Sequence, residues 1–290
     1  MKYIDINGNK KHADSGQDKL LKLLYTTRTG RMLLRPLVTP AFSKLAGALL
    51  NTSFSCRLIK PFVRSNAIDM SDYEETCYRS YNDFFTRKIK KGAREISGGS
   101  SDLVSPCDCY ASAYEISEDR ILTVKNAEYT VSSLLHSKRL AARYQGGYAL
   151  ILRLTVSDYH RYAYAATGRQ SKNYRIPGVF HTVNPIAGEH FPIYKENSRE
   201  YTVIHSSHLG DIVQMEVGAL MVGKIVNHRE SCFVLRGEEK GYFEFGGSTI
   251  VLLLEKDAVT LREDLLVNTL SGYETQLRLG NIIGKSNKWN

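Results

Sequence analysis

Tyr242-Phe243-Glu244-Phe245-Gly246-Gly247-Ser248-Thr249-Ile250-Val251-Leu252-Leu253-Leu254-Glu255 is the stretch on which the reading of this chain turns. Aromatic and branched residues on both sides favour extended backbone. Two glycines between them mark a hairpin loop, a bulge or a close backbone approach. A two-residue hairpin turn is the plain reading. The chemical reading starts from the hydroxyl that follows the glycines. Flexible backbone lets the Ser248 oxygen reach the Gly247 carbonyl, and the resulting ester can be eliminated by a base to dehydroalanine, which hydrolyses to an amino-terminal pyruvoyl group. Either way, a strand pair is expected here.

Further strands are expected before this stretch. Short alternating or apolar runs stand at Tyr148 to Leu154, Arg161 to Ala166, Gly178 to Val183, Tyr201 to His205, Ile212 to Val217 and Leu220 to Val226, mostly bounded by Gly, Asn, Asp or Pro. Residues 17 to 50 read instead as two helices broken near Thr29-Gly30, with Pro36 and Pro40 interrupting the second. Ser71-Asp72-Tyr73-Glu74-Glu75 reads as a helix start. The fold class is α+β, a helical N-terminal region packed on a mainly antiparallel β core. The expected division is 1–70, a basic amphipathic helical region, and 71–290, a β-rich catalytic domain.

The net charge is +9, and its placement matters more than its size. Between Lys19 and Met70 lie nine basic residues and one acidic residue, Asp69, interleaved with leucines at near-helical spacing. A basic amphipathic stretch suits the surface of an anionic bilayer. It equally suits a helical hairpin with a solvated basic face. Nucleic acid is not expected as a partner, since the chain carries no zinc spacing, RNP-like aromatic pattern or recognition-helix motif. No apolar run approaches the roughly 20 residues of a membrane span. No secretory signal is visible. The five cysteines, Cys56, Cys77, Cys107, Cys109 and Cys232, are odd in number and unevenly spaced, which argues against a disulfide framework. Cys107-Asp108-Cys109 is tight for zinc and has no second pair at matching spacing, so no metal is expected.

Several separated segments carry a resemblance. They are Asn82-Asp83-Phe84-Phe85-Thr86-Arg87-Lys88, Val104-Ser105-Pro106-Cys107-Asp108, Val124-Lys125-Asn126-Ala127-Glu128-Tyr129-Thr130, Asp158-Tyr159-His160-Arg161-Tyr162, Val183-Asn184-Pro185, Glu196-Asn197-Ser198-Arg199-Glu200, Val217-Gly218-Ala219 with Val222-Gly223, and Gly247-Ser248-Thr249. In this order, from about residue 78 to about 256, the chain resembles the phosphatidylserine decarboxylases. The resemblance implies autocatalytic cleavage between Gly247 and Ser248, giving a large chain (1–247) and a small chain (248–290). It also implies a pyruvoyl cofactor made from Ser248, with no pyridoxal phosphate. That carbonyl takes up the substrate amine and the electrons left when CO2 departs. The implied substrate is phosphatidylserine in an anionic membrane. The implied setting is peripheral, on the cytoplasmic face of the cell membrane, as a homodimer. The resemblance assigns Asp108 as the carboxylate of the self-processing group and His160 as the residue of decarboxylation and protonation; Tyr159 and Arg161 are read as substrate-binding residues that position strand and phosphate.

The chain departs from the family at one place. Many members read Tyr-His-Arg-x-His, the second histidine completing a serine–histidine–aspartate group; here Ala163 holds that position. His181, in Phe180-His181-Thr182, is the expected replacement, because members with the second histidine tend to carry a large apolar residue there. His160 serving both steps, or slow processing, are the alternatives. A decarboxylase of soluble amino acids and an inert membrane-binding relative are the competing functions, the latter motivated by Ala163 and by Gly246, where members usually have leucine.

Overall fold

The computed structural model describes residues 2–12, 23–74, 77–117, 119, 121–124, 127–182, 193–219, 224–244 and 248–288. Gly246 and Gly247 of the expected cleavage site lie outside the described residues. So do Lys125-Asn126, Val183-Asn184-Pro185, Val222-Gly223 and the basic residues Lys19 and Lys22.

The strand Ser248–Leu254 is buried along its whole length. Its apolar run is continuous because both faces are covered. Ile250, Leu252 and Leu254 face one core with Tyr162, Phe243 and Leu265. Val251 and Leu253 face the other, with Val131, Leu134, Leu135 and Tyr144. Ser248–Leu254 pairs antiparallel with Gly210–Val217 on one side and Tyr148–Leu154 on the other. Beyond these lie Arg199–Ser206 on the first side, and Cys109–Glu115 and then Glu274–Leu277 on the second. Among the described residues this sheet has eleven strands, antiparallel except where Lys2–Ile4 runs parallel to Glu274–Leu277. A smaller sheet of Ile225–Asn227, Glu239–Phe243 and Arg161–Ala163 packs on the Ile250 side.

Register brings one end of several strands into a row. Ser248 is opposite Leu154, Tyr110 is opposite Arg153, and Cys109 is opposite Leu277. In the other direction Thr249 is opposite Val217, which is opposite Arg199, which is opposite Ile176. The residues just beyond these ends, 108, 155–160, 177–182, 197 and 218, therefore share one edge with Ser248.

The α+β expectation holds, with local corrections. The chain is helical over 23–26 and breaks at Thr27, whose hydroxyl caps the helix Arg28–Leu37 by accepting the Gly30 N–H at 2.9 Å. Gly30 sits inside that helix because a Cβ there would meet the Leu23 carbonyl oxygen at 2.2 Å. Pro36 is carried within the last turn, and the next break falls at Val38-Thr39. Pro40 does not interrupt a helix but opens one, Pro40–Leu50, at a position where its missing N–H costs nothing.

Ser71–Glu74 is not a helix start. Tyr73 forms an isolated antiparallel bridge with Ile89, and the Glu74 N–H donates to the Lys88 carbonyl. The helix comes later, at Tyr81–Phe85, capped by Ser80. Residues 178–182 form no strand. Gly178 lies so close to the Glu196 carbonyl that a Cβ would approach it to 2.2 Å, and Val179 bridges Asn197.

Tyr25, Leu34 and Val38 are buried in the same core as the sheet, and the Val38 carbonyl accepts the Phe180 N–H. Met32, Leu33, Leu45, Leu49, Phe54 and Leu58 are exposed. Among the described residues no single helix is long and apolar enough to cross a membrane. The pair Arg28–Leu37 and Pro40–Leu50, bent by 67°, meets that measure jointly.

Candidate active site

Ser248 and Thr249 are both fully buried, and neither hydroxyl has a hydrogen-bond partner among the described residues. A buried hydroxyl left unsatisfied costs about 1–3 kcal/mol, so a pair of them at the start of a central strand asks for a functional account. The two flanks of Ser248 carry the two candidate histidines.

On the first flank, Leu154 leads into a turn closed by Asp158, whose Oδ2 accepts the Thr155 N–H at 2.6 Å and the Thr155 hydroxyl at 2.8 Å. Asp158 keeps some exposed surface, but its carboxyl group is enclosed, and burial pushes its pKa up to about 6. His160 follows, fully buried, with its Nδ1 2.8 Å from the Asp158 carbonyl oxygen. That oxygen can only accept, so the geometry assigns the proton to Nδ1 and leaves Nε2 as the nitrogen for proton exchange. Tyr159 is buried against Tyr73 and Leu279. Arg161 donates from Nε to the Thr86 carbonyl at 2.8 Å and from Nη1 to Glu239 at 2.8 Å.

On the second flank, Val217 leads into Gly218. Asn197 is fully buried and joins three points: its Nδ2 donates to the Gly218 carbonyl at 2.8 Å and the His181 carbonyl at 2.7 Å, and its Oδ1 accepts the His181 N–H at 2.9 Å. His181 is thereby tied to the strand beside Thr249. Its Nδ1 lies 3.4 Å from the Tyr25 hydroxyl, which accepts the Thr182 N–H at 2.9 Å. Its Nε2 lies 3.7 Å from the Glu196 carboxylate. Burial lowers the pKa of the imidazole, favouring the neutral form.

Asp108 shares the edge but is committed elsewhere. Arg94 donates to it from Nε at 3.0 Å and from Nη2 at 2.7 Å, and the Leu279 N–H donates at 2.8 Å. Arg94 also donates to Asp72 at 2.8 Å. Neither imidazole is among the hydrogen-bond partners of Asp108. Cys107 and Cys109 beside it are buried, and burial raises the Cys107 pKa well above its ordinary value. The fold thus gathers Ser248, His160, His181 and Asp108 at one edge without bonding Asp108 to a histidine. Asn197 lay inside a quoted motif, but its three-way link was invisible; Arg94 carried no sequence signal.

Residues 81–285 match the family model described as phosphatidylserine decarboxylase. The chain is 45% identical over 268 residues to phosphatidylserine decarboxylase proenzyme 2 of Clostridium acetobutylicum, covering 92% of each chain. It is 39% identical to the phosphatidylserine decarboxylase proenzyme of Clostridium tetani, again over 92% of each. With that of Ruminiclostridium cellulolyticum it shares 37% identity over 92% of this chain and 91% of the other. The chain belongs to the phosphatidylserine decarboxylase family. Phosphatidylserine decarboxylases make a pyruvoyl group from an internal serine, and the residues present fit that group. Ser248 opens a strand directly after two glycines in the chain, and its enclosed oxygen has no hydrogen-bond partner among the described residues.

Proposed function

We propose that this chain converts phosphatidylserine to phosphatidylethanolamine and CO2 as a pyruvoyl-dependent carboxy-lyase, after cutting itself between Gly247 and Ser248. The observation that carries this reading is the enclosed Ser248 hydroxyl, without a hydrogen-bond partner among the described residues, in a member of this family.

The self-processing step balances within the chain. Ser248 Oγ adds to the Gly247 carbonyl and loses its proton to a base. The Gly247–Ser248 peptide bond breaks, and an ester joins residue 247 to the serine side chain. Removal of the Ser248 α-proton expels the new carboxylate of residue 247 and leaves dehydroalanine, which takes up water and releases ammonia. His181 is our choice of base: it is buried, held neutral, and fixed through Asn197 to the strand next to Ser248. Asp108 supplies negative charge to the same edge, held in place by Arg94.

A pyruvoyl carbonyl supplies an electrophile for the substrate amine and a sink for the electrons released with CO2. His160 Nε2 takes up a proton beforehand and delivers it to the α-carbon, while the Nδ1 proton stays directed at the Asp158 carbonyl. Arg161 and Tyr159 brace the segment that carries His160. Residues 1–70 form the membrane-associating region, peripheral on the cytoplasmic face, and 71–290 the catalytic domain of a homodimer. The exposed Met32, Leu33, Leu45, Leu49, Phe54 and Leu58 among arginines and lysines support the membrane role.

The test is a denaturing gel with intact mass spectrometry on the purified protein and on Ser248→Ala. Two chains split before residue 248, with a pyruvoyl-blocked small chain, are expected from the first and one intact chain from the second. A single 32.7 kDa chain from both would overturn the reading.

A further inference from the structure

Asn82–Lys88 carries the family resemblance but has no part in the chemistry described so far, and in the fold it wraps His160. The Phe85 ring lies on the imidazole with centroids 3.9 Å apart. The Thr86 carbonyl accepts from Arg161, the residue after His160, at 2.8 Å. Arg87 donates from Nη2 to the Ser157 carbonyl at 3.1 Å and to the Asp158 carbonyl at 3.4 Å. The second of these is the oxygen to which His160 Nδ1 donates.

Arg87 is only 2% exposed, yet none of its hydrogen bonds goes to a carboxylate. Its charge is offset by carbonyl oxygens, by the Tyr73 hydroxyl at 3.1 Å, and by the faces of Tyr73 and Phe84 at 4.3 and 4.8 Å. A buried cation without a counter-ion is costly, so its place beside a reacting imidazole needs a reason. Two are available: it receives a substrate anion, or it fixes the groups around His160. Among the described residues, Nη1 and Nη2 find partners and Nε does not. The other two are aimed at backbone carbonyls and a hydroxyl, which favours fixing.

We propose that Arg87 is a positioning residue for His160. It holds the Asp158 carbonyl where an imidazole protonated at Nδ1 must meet it, and Phe85 holds the ring plane, so that Nε2 is kept as the proton-exchanging nitrogen. This rests on the reading of His160 as the proton donor of decarboxylation.

The experiment uses full-length Arg87→Lys, Arg87→Met and His160→Gln, with cleavage followed on gels and CO2 release from phosphatidylserine in mixed micelles followed against pH. The expected result is that both Arg87 variants cleave into two chains, Arg87→Met loses at least tenfold in kcat with KM within twofold, its kcat–pH profile shifts, and Arg87→Lys recovers part of the loss. Raised KM with unchanged kcat would make Arg87 an anion receptor and overturn the proposal. Unchanged kcat and profile beside an inactive His160→Gln would overturn it too. An active His160→Gln would instead remove the reading beneath it. Should Arg87→Met fail to fold, Tyr73→Phe takes its place: a smaller kcat loss with the same pH shift supports the proposal, and an unchanged kcat and profile count against it.

Discussion

On one flank of Ser248, the Phe85 ring lies on His160, the Nδ1 of His160 donates to the Asp158 carbonyl, and the Phe243 N–H donates to the His160 carbonyl. On the other, His181 is held by residues scattered through the chain: Tyr25 from the helical front, Asn197 and Glu196 from the segment before a strand, and Gly218 through Asn197. The first imidazole is sealed from water. The second faces a carboxylate whose side chain is 41% exposed. Repeated proton transfer to a carbanion gains from a water-excluded site, whereas a base that acts once on its own backbone needs only reach and a neutral ring. The contrast fits the division of labour proposed above, His160 for turnover and His181 for processing.

The sharpest way to break that division is to remove each ring. His181→Ala is expected to accumulate as one uncleaved chain, with processing slowed at least 100-fold on a timed gel. His160→Ala is expected to cleave and then release CO2 at least 100-fold more slowly than the parent. Full-rate cleavage by His181→Ala would return both steps to His160.

Arg94 tests the charge beneath both flanks. Its pair with Asp108 is enclosed, with side chains 7% and 12% exposed. Removing one member leaves the other uncompensated, so Arg94→Met should cost about 3–5 kcal/mol. Urea unfolding on the uncleavable Ser248→Ala background measures this. A loss below about 1 kcal/mol would mean that Asp108 is better solvated than its contacts imply.

The sheet was legible because its strands announce themselves. Tyr148–Leu154 matches its expected bounds, and the extended backbone expected after Gly246-Gly247 runs as Ser248–Leu254. Cys109–Glu115 was missed because Ala, Ser and Cys give a weak apolar signal at a position flanked by other strands. Ser71–Glu74 was misread because acidic residues after a serine mimic a first turn, while the pairing that overrides it comes from Ile89, sixteen positions away. At the site, the serine and both histidines were visible as motifs. What no motif carries is which groups satisfy each ring, since Tyr25 and His181 are 156 positions apart.

That long link gives a smaller prediction. Tyr25→Phe keeps the buried ring but removes the hydroxyl from the Thr182 N–H and from His181 Nδ1, a loss of about 1 kcal/mol in stability. Processing should slow severalfold while CO2 release by already cleaved protein stays unchanged. In the parent, burial lowers the His181 pKa, so the cleavage rate should rise through a midpoint below about 6.5 and stay flat above it. A midpoint above that value would mean that a charged partner, not burial, governs the ring.

Asp158 gives an effect confined to the His160 flank and visible only against pH. Its carboxyl pKa is pushed up to about 6, above the roughly 3.9 of an unfolded chain. Between those values the folded protein holds a proton that the unfolded chain has released, so folding stability falls as pH rises through that window and the penalty is complete above it. Asp158→Asn keeps an oxygen for the Thr155 N–H and hydroxyl but cannot ionise. The variant should therefore match the parent near pH 4 and gain on it steadily up to about pH 6, with the gain constant beyond. Urea midpoints taken at pH 4, 5, 6 and 7 on the Ser248→Ala background trace this difference. A gap that stays flat across the series would show that the carboxylate is as well solvated in the fold as outside it, and the His160 flank would lose its claim to be the sealed one.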